Sequence, residues 1–341
     1  VVQVARGYAI QVAPPKQSQI TTATQVAIGC PGGEGLSNYG WPERGGKAEL
    51  RSALAHASKR LPTTVSPTHV RESVIDRLVA DYPGSPCPFG FQTPVITVTR
   101  KQIKTIFLQI KATSGPGLPW ASLGATKGDV LRDHPDLIID AVMARLDRLN
   151  ELDCSEMDGR SLIEEGCCDL VRFFVKNEPH KLDKIMDGRY RLISSISLVD
   201  EIIERLLIGA QVEAELSACL TCPSKPGVGL TSDEQCAALY ASLDKDNLYD
   251  DDVSNWDWSV TEELYDITTA ADLRTIRVPA DACFTKIYRN RQECLKHSVF
   301  STSTGIIVQL PFMIQCSGSF DTARKNSKNR VALGLLVGSQ K

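Results

Sequence analysis

No apolar run in this 341-residue chain is long enough to cross a bilayer, and it has no N-terminal signal sequence. A membrane-spanning helix and a secretory route are therefore not expected. Cys219-Leu-Thr-Cys222 has the C-x2-C spacing of a zinc site, but no second pair accompanies it, and the adjacent Cys167-Cys168 cannot readily complete a tetrahedral site. The eleven cysteines are expected to be reduced, mostly buried thiols in a cytosolic setting. A P-loop is missing, because Gly45-Gly46-Lys47 is followed by Ala48 rather than Ser or Thr. Neither a G-x-S-x-G elbow nor an oriented His-Asp pair accompanies the five histidines, which leaves a serine hydrolase without support. Charge of one sign is not in excess, since the formal net charge is −3, and no internal repeat is evident. The first residue is Val1 rather than Met, so the chain is expected to be cut from a polyprotein or from an incomplete reading frame.

With 42% hydrophobic residues, the chain can bury a sizeable core in more than one subdomain. Charge is segregated along it. Residues 233 to 252 carry seven acids and one lysine, whereas residues 321 to 341 carry five basic side chains and one acid. Such segregation suits a protein that holds metal ions in one place and phosphates in another. Residues 1 to 40, rich in Gly, Pro, Thr and Gln, read as a loose leader, and from Trp41 the pattern turns Ala-rich, basic and helical. Leu137, Ile138, Val142 and Leu146 recur at helical spacing and predict a helix over 136–151. Ser197 or Asp200 is expected to cap a helix through 210, with Leu198, Ile202, Ile203, Leu206 and Leu207 on one face. Strands are expected at 92–99, at 171–175 and just before Asp252.

Two segments carry the chemistry. DDDVSNWDWSV places Asp252 and Asp257 five apart, and further on Ser317-Gly318, Thr322 and Asn326 follow the order S-G-x3-T-x3-N. Either segment alone reads as a solvated acidic turn or as a loop leading into a helix N-terminus. Together, in this order, they resemble palm motifs A and B of viral RNA-dependent RNA polymerases, and most of all the replicases of sobemoviruses and their insect-virus and luteovirus-like relatives. The resemblance implies template-directed nucleotidyl transfer. That reaction uses two divalent ions about 3.5–4 Å apart, one activating the attacking hydroxyl and one holding the leaving pyrophosphate. Mg²⁺, with Mn²⁺ as the alternative, takes carboxylate oxygens, and Asp252 is the expected ligand. By the same resemblance Asp257 and Asn326 form a sensor for the ribose 2′-hydroxyl, with Ser317, Gly318 and Thr322 supporting it. Asp252 and Asp257 are the expected catalytic pair. A site built to hydrogen-bond a hydroxyl penalises a substrate lacking it, so the implied substrates are ribonucleoside triphosphates. Reverse transcriptases of similar architecture carry a bulky side chain near the position of Asp257, and an aspartate there argues against that class.

Two upstream segments extend the resemblance. FFVKNEPHKLDKIMDGRYRLIS resembles motif F, whose cations line the nucleotide channel; from Arg172 to Arg191 six basic residues face three acids. Lys176, Arg189 and Arg191 are the expected triphosphate contacts, because charge developing on phosphates is stabilised by preoriented cations. TSGPGLPWASLG resembles motif G at the template path, where Ser114, Gly115, Pro116 and Gly117 are the expected RNA contacts, glycine allowing close backbone approach. Trp120 is expected either beneath a base or, more commonly, in the core.

The resemblance covers residues 41 to 341 and implies an α+β right-hand polymerase. Its third motif, Gly-Asp-Asp on a tight hairpin, does not occur before Lys341. The chain is accordingly expected to comprise fingers and an incomplete palm without a thumb, with a Gly-Asp-Asp in the following codons. The expected division is 1–40 leader or polyprotein linker, 41–235 N-terminal extension and fingers, and 236–341 partial palm. On this reading the chain alone binds RNA in a salt-sensitive manner without extending a primer, and a non-catalytic RNA-binding module is the alternative. Expected partners are viral RNA template, nascent RNA and other replicase proteins, with a genome-linked protein primer left open. The expected location is the host cytoplasm, in membrane-associated replication complexes.

Overall fold

Alternation along Val171–Val175 buries Val171, Phe173 and Val175 on one face, as the period of a strand requires. In this computed structural model, which describes residues 2–6, 38–226, 228–243 and 252–338, that strand (β3) is next to the end of a five-stranded mixed sheet. The strands are β1 (Val2–Arg6), β3, β5 (Leu192–Ser195), β6 (Val299–Ser301) and β7 (Ile306–Gln309), in the order β1-β7-β6-β3-β5. Only β3 and β6 run parallel. β2 (Tyr39–Gly40) and β4 (His180–Lys181) form a separate small ribbon.

Seven helices have twelve or more residues among those described: α1 (Gly46–Ala57), α2 (Thr68–Asp81), α3 (Pro135–Glu151), α4 (Leu198–Ser217), α5 (Glu262–Thr275), α6 (Phe284–Lys296) and α7 (Thr322–Gly338). α3 starts at Pro135, where a missing N–H costs nothing, and buries Ile138, Val142 and Leu146 as expected, while Leu137 is exposed. Ser197, not Asp200, caps α4, its hydroxyl accepting from the Asp200 N–H. The helix continues to Ser217, beyond the expected limit at 210.

Three cores result. α3, α4 and α6 enclose the largest, through Ile139, Val142, Ile202, Ile203, Phe284 and Ile287. α1 lies on the sheet over Phe173, Phe300 and Val308. α2, α5 and α7 make a third through Leu78, Ile267 and Ala332. Each fully buried side chain of this kind contributes roughly 1.5–3 kcal/mol.

Two expectations change. Residues 92–99 form no strand. The Thr97 N–H instead donates to the carbonyl of Gly90, Val95 is exposed, and Thr99 caps the helix Arg100–Phe107. Within the segment expected to be a loose leader, residues 2–6 pair with β7 as an edge strand. Trp120, half-buried, packs against the largest core and donates its indole N–H to Asp169, in keeping with the commoner of its two expected fates. The strand expected just before Asp252 lies outside the described residues.

Candidate active site

The motif A segment enters through Asn255, whose left-handed backbone (φ 62°) starts the short helix Trp256–Ser259. Asn tolerates this conformation better than most residues. Trp258 anchors the turn. It is buried, stacked 5.1 Å from His56 of α1 and 6.2 Å from Phe173 of β3. Burial lowers the His56 pKa, favouring the neutral ring at this apolar contact. Arg60 fastens the backbone, donating to the carbonyls of Trp258 (2.6 Å), Val260 (3.1 Å) and Met313 (2.9 Å) while lying over the Phe312 ring. Nothing in the spacing around Arg60 signals this role, because its partners are backbone carbonyls about two hundred positions away.

These anchors bring motifs A and B together. The Gln315 N–H donates to the Asp257 carbonyl at 2.8 Å, and the Asn326 side chain stands close enough to the Asp257 carboxyl to favour its ionised form. Burial raises the Asp257 pKa above the usual carboxylate range, against the opposing effects of Asn326 and the Arg191 charge. The Asn326 Oδ1 is buried and has no partner among the described residues. Asp252 is exposed and lies in irregular chain before the helix.

Motif F meets motif B along β5. The Ser194 N–H donates to the Ser317 hydroxyl at 3.1 Å, and the Gly318 N–H donates back to the Ser194 carbonyl at 2.9 Å. A Cβ on Gly318 would stand 2.4 Å from that carbonyl oxygen, so only glycine fits without moving backbone. Thr322 donates its hydroxyl to the Cys316 carbonyl at 2.7 Å and closes the loop that leads into α7. Gly318→Ala is expected to lower stability by about 1–3 kcal/mol, the cost of forcing extra volume into packed structure. Urea unfolding checks it, and an unchanged midpoint would show that the loop yields freely.

The expected phosphate contacts divide. Lys176 and Arg191 share one carboxylate, that of Glu178, at 2.7 and 3.2 Å. Arg189 instead pairs with Asp187 at 2.8 Å, within the turn that precedes β5. Burial opposes ionisation of Glu178, yet Lys176 and Arg191 hold its carboxyl below the usual range. Half-exposed pairs of this kind are worth at most about 1 kcal/mol, little enough for a polyphosphate to displace.

The motif G loop is held by Leu198, whose N–H donates to the Pro116 carbonyl at 2.8 Å, and by Lys127, whose N–H donates to the Ser114 carbonyl at 2.7 Å. Gly117 has a positive φ of 72°, and a Cβ there would stand 2.4 Å from the Ile196 carbonyl oxygen. Both glycine loops therefore dock on one short stretch, Ser194 to Leu198.

The basic segment 321–341 needs correcting. Arg324, Lys325 and Lys328 are buried at 3%, 1% and 1% exposure, and pair with Asp272, Glu215 and Asp321 rather than facing phosphates. Among the described residues no three His, Cys, Asp or Glu side chains gather as a metal cluster, and the ten described cysteines are unbonded, seven of them buried.

A family model described as viral RNA-directed RNA-polymerase matches residues 33–246, more than half of the chain. Residues 252–257 and 317–326 lie past that stretch. The chain is 36% identical over 321 residues to the replicase polyprotein P2AB of Southern bean mosaic virus (89% of this chain, 32% of that protein). It is 33% identical over 328 residues to a protein of Pea enation mosaic virus-1, P1-P2 (88% of this chain, 27% of that protein). It thus spans about a third or less of the length of these curated relatives. Among solved structures, a Sicinivirus 3Dpol RNA-dependent RNA polymerase shares its fold with a TM-score of 0.58 and 16% identity, over 88% of this chain and 60% of that one. With a family model matched over more than half of the chain and relatives above 30% identity across most of it, the chain belongs to the viral RNA-directed RNA polymerase family.

Proposed function

We propose that the protein carrying this chain joins ribonucleoside triphosphates on a viral RNA template, with Asp257 and Asn326 reading the 2′-hydroxyl of the incoming nucleotide. The observation that carries this reading is the juxtaposition of those two side chains, together with the buried Oδ1 of Asn326, which has no partner among the described residues. A carbonyl oxygen left unpaired in a buried position costs about 1–3 kcal/mol until a donor arrives, and a ribose hydroxyl is such a donor. Ser317, Gly318 and Thr322 set the loop that leads into α7, the helix that carries Asn326. Lys176 and Arg191 receive the triphosphate by exchanging Glu178 for phosphate oxygens, with Arg189 bracing the turn beside them. The backbone of Ser114, Gly115, Pro116 and Gly117 borders the template.

Asp252 suits a hard cation in its donor chemistry: its carboxylate is exposed and accepts no hydrogen bond or ion pair among the described residues. It is one oxygen ligand, and a complete set draws on further carboxylates. When bound, Mg²⁺, or Mn²⁺ in its place, would activate the attacking hydroxyl and neutralise the leaving phosphates. In this reading residues 41–235 serve as extension and fingers, and 236–341 belong to the palm, whose sheet residues 2–6 of the segment expected as a leader extend at one edge. The protein works with viral template, nascent RNA and other replicase proteins, in membrane-associated complexes in the host cytoplasm. No helix among the described residues is long and apolar enough to cross a membrane.

Sugar selection by the complete replicase tests the assignment. Asn326→Leu is expected to cost ribonucleotide incorporation far more than deoxyribonucleotide incorporation. A hydrogen bond to a charged partner is worth about 1.5–3 kcal/mol, so discrimination falls on the order of ten- to a hundredfold. An equal loss with both sugars would make Asn326 a brace between motif A and α7, and would sink its role as sensor.

A further inference from the structure

The loop between Gly318 and α7 is held from two sides, and only one of them belongs to the motifs. On the far side stands Glu204 of α4, 3% exposed. One of its oxygens accepts from the Ser319 hydroxyl and the Phe320 N–H, both at 2.8 Å, and the other accepts from Arg291 at 2.7 Å. The next residue, Arg205, covers the Phe320 ring from 4.2 Å and is tied back to Glu201 one turn earlier. The second guanidinium nitrogen of Arg291 donates to the Cys168 sulfur at 2.9 Å and lies 3.5 Å from Asp200. Asp200 in turn pairs with Arg145 at 2.9 Å, and Arg145 grips Asp169, the acceptor of Trp120. A buried polar chain thus runs from the 319–320 loop to the segment that follows Gly117.

Beside Glu204 lies a cavity of about 10 Å³, room for roughly one water, also lined by Tyr265, Tyr288, Arg291, Gln292 and Asp321. The buried Arg291 Nε and Gln292 Oε1 have no partner among the described residues. The two bonds from Glu204, together with the packing of Phe320 against the largest core and beneath Arg205, fix where residues 319 and 320 sit.

We infer that Glu204 is a positioning residue for the motif B loop: it fixes Ser319 and Phe320, and through them the placing of Ser317 and Asn326 at the nucleotide. It touches no substrate and acts through the loop. In its last step this inference rests on the polymerase reading above. A carboxamide cannot replace the carboxylate here, because both oxygens already accept. In Glu204→Gln the new –NH2 must face either Arg291 or the Phe320 N–H, donor against donor.

The first test needs only this chain. In Glu204→Gln, amide hydrogen exchange over residues 316–322 is expected to accelerate on the order of tenfold, while the amides of α3 keep their rates. Equal acceleration everywhere, or none in the loop, overturns the proposal. Should Glu204→Gln not fold, Ser319→Ala removes one of the same bonds more gently and is read in the same way. The second test is primer extension by the complete replicase. Glu204→Gln is expected to raise the KM for ribonucleotides and lower ribose discrimination about tenfold, the direction of the Asn326 change. A purely structural residue would lower the amount of active enzyme and leave KM and discrimination alone, and that result overturns the inference. If wild-type replicase fails to extend a primer at all, the polymerase reading is what falls, and the exchange experiment still decides whether Glu204 holds the loop.

Discussion

Asp252→Asn in the complete replicase is expected to abolish incorporation of ribonucleotides and deoxyribonucleotides alike, by on the order of a thousandfold or more. The argument is one of charge. A divalent cation supplies several kcal/mol of transition-state stabilisation, and each 1.36 kcal/mol is a factor of ten in rate. An amide oxygen in place of a carboxylate weakens the hold on such an ion without altering the shape of the segment. Asp252 is exposed and lies outside every core, so its replacement has little to unfold. The loss should therefore appear in kcat at unchanged unfolding midpoint, and raised Mn²⁺ should recover part of it. This pattern separates Asp252 from Asn326, whose replacement divides the two sugars. Retained activity with either sugar would remove Asp252 from the metal site.

Asp272→Ala is expected to be the most destabilising single change in this set, costing about 3–5 kcal/mol, as breaking a buried ion pair from one side does. Asp272 is fully buried in α5. It accepts from Arg324 twice (2.8 and 2.9 Å), from Lys328 (2.8 Å), from the more distant Lys325 (3.4 Å) and from the Tyr288 hydroxyl (2.8 Å). Without it, three cations of α7 face only Glu215 and Asp321. Burial already pulls Lys325 down to about 8, so this lysine is the member least able to keep its proton.

The same group predicts a pH dependence. Burial disfavours the charged form of Asp272, but Arg324, Lys328 and Lys325 outweigh it and hold the carboxyl well below its usual value. A group whose folded pKa lies below its unfolded one stabilises above the unfolded value, and that contribution is lost as pH falls through the folded one. The wild-type chain should thus lose stability in acid more steeply than Asp272→Ala, when urea unfolding is followed from pH 7 downward. By contrast, removing the exposed Arg100 from its pairs with Asp136 and Asp140 should cost at most about 1 kcal/mol. Equal effects of the two changes would show that burial does not set the value of ion pairs here.

What the sequence determined by itself is local. Helical spacing from Pro135 and the serine before Leu198 mark two helices, because a repeating apolar face and a cap act within a few residues. Alternation marks β3 for the same reason. The motifs were legible as ordered residue types, and they led to the family that the comparisons then show. Alternation misled at 92–99, where a strand needs a neighbouring edge to pair with and the chain offers Gly90 in a turn instead.

Tertiary structure decided everything that depends on a distant partner. Whether a charge is solvated or buried is not written in its neighbours: Arg324, Lys325 and Lys328 read as a phosphate-facing basic segment until α5 and α4 bring Asp272 and Glu215 against them. The meeting of Asp257 with Asn326, the two glycine loops on Ser194 to Leu198, and Glu204 behind the motif B loop are of the same kind. Each joins groups far apart in sequence, and the energy of such a contact exists only once the chain has closed the loop between them.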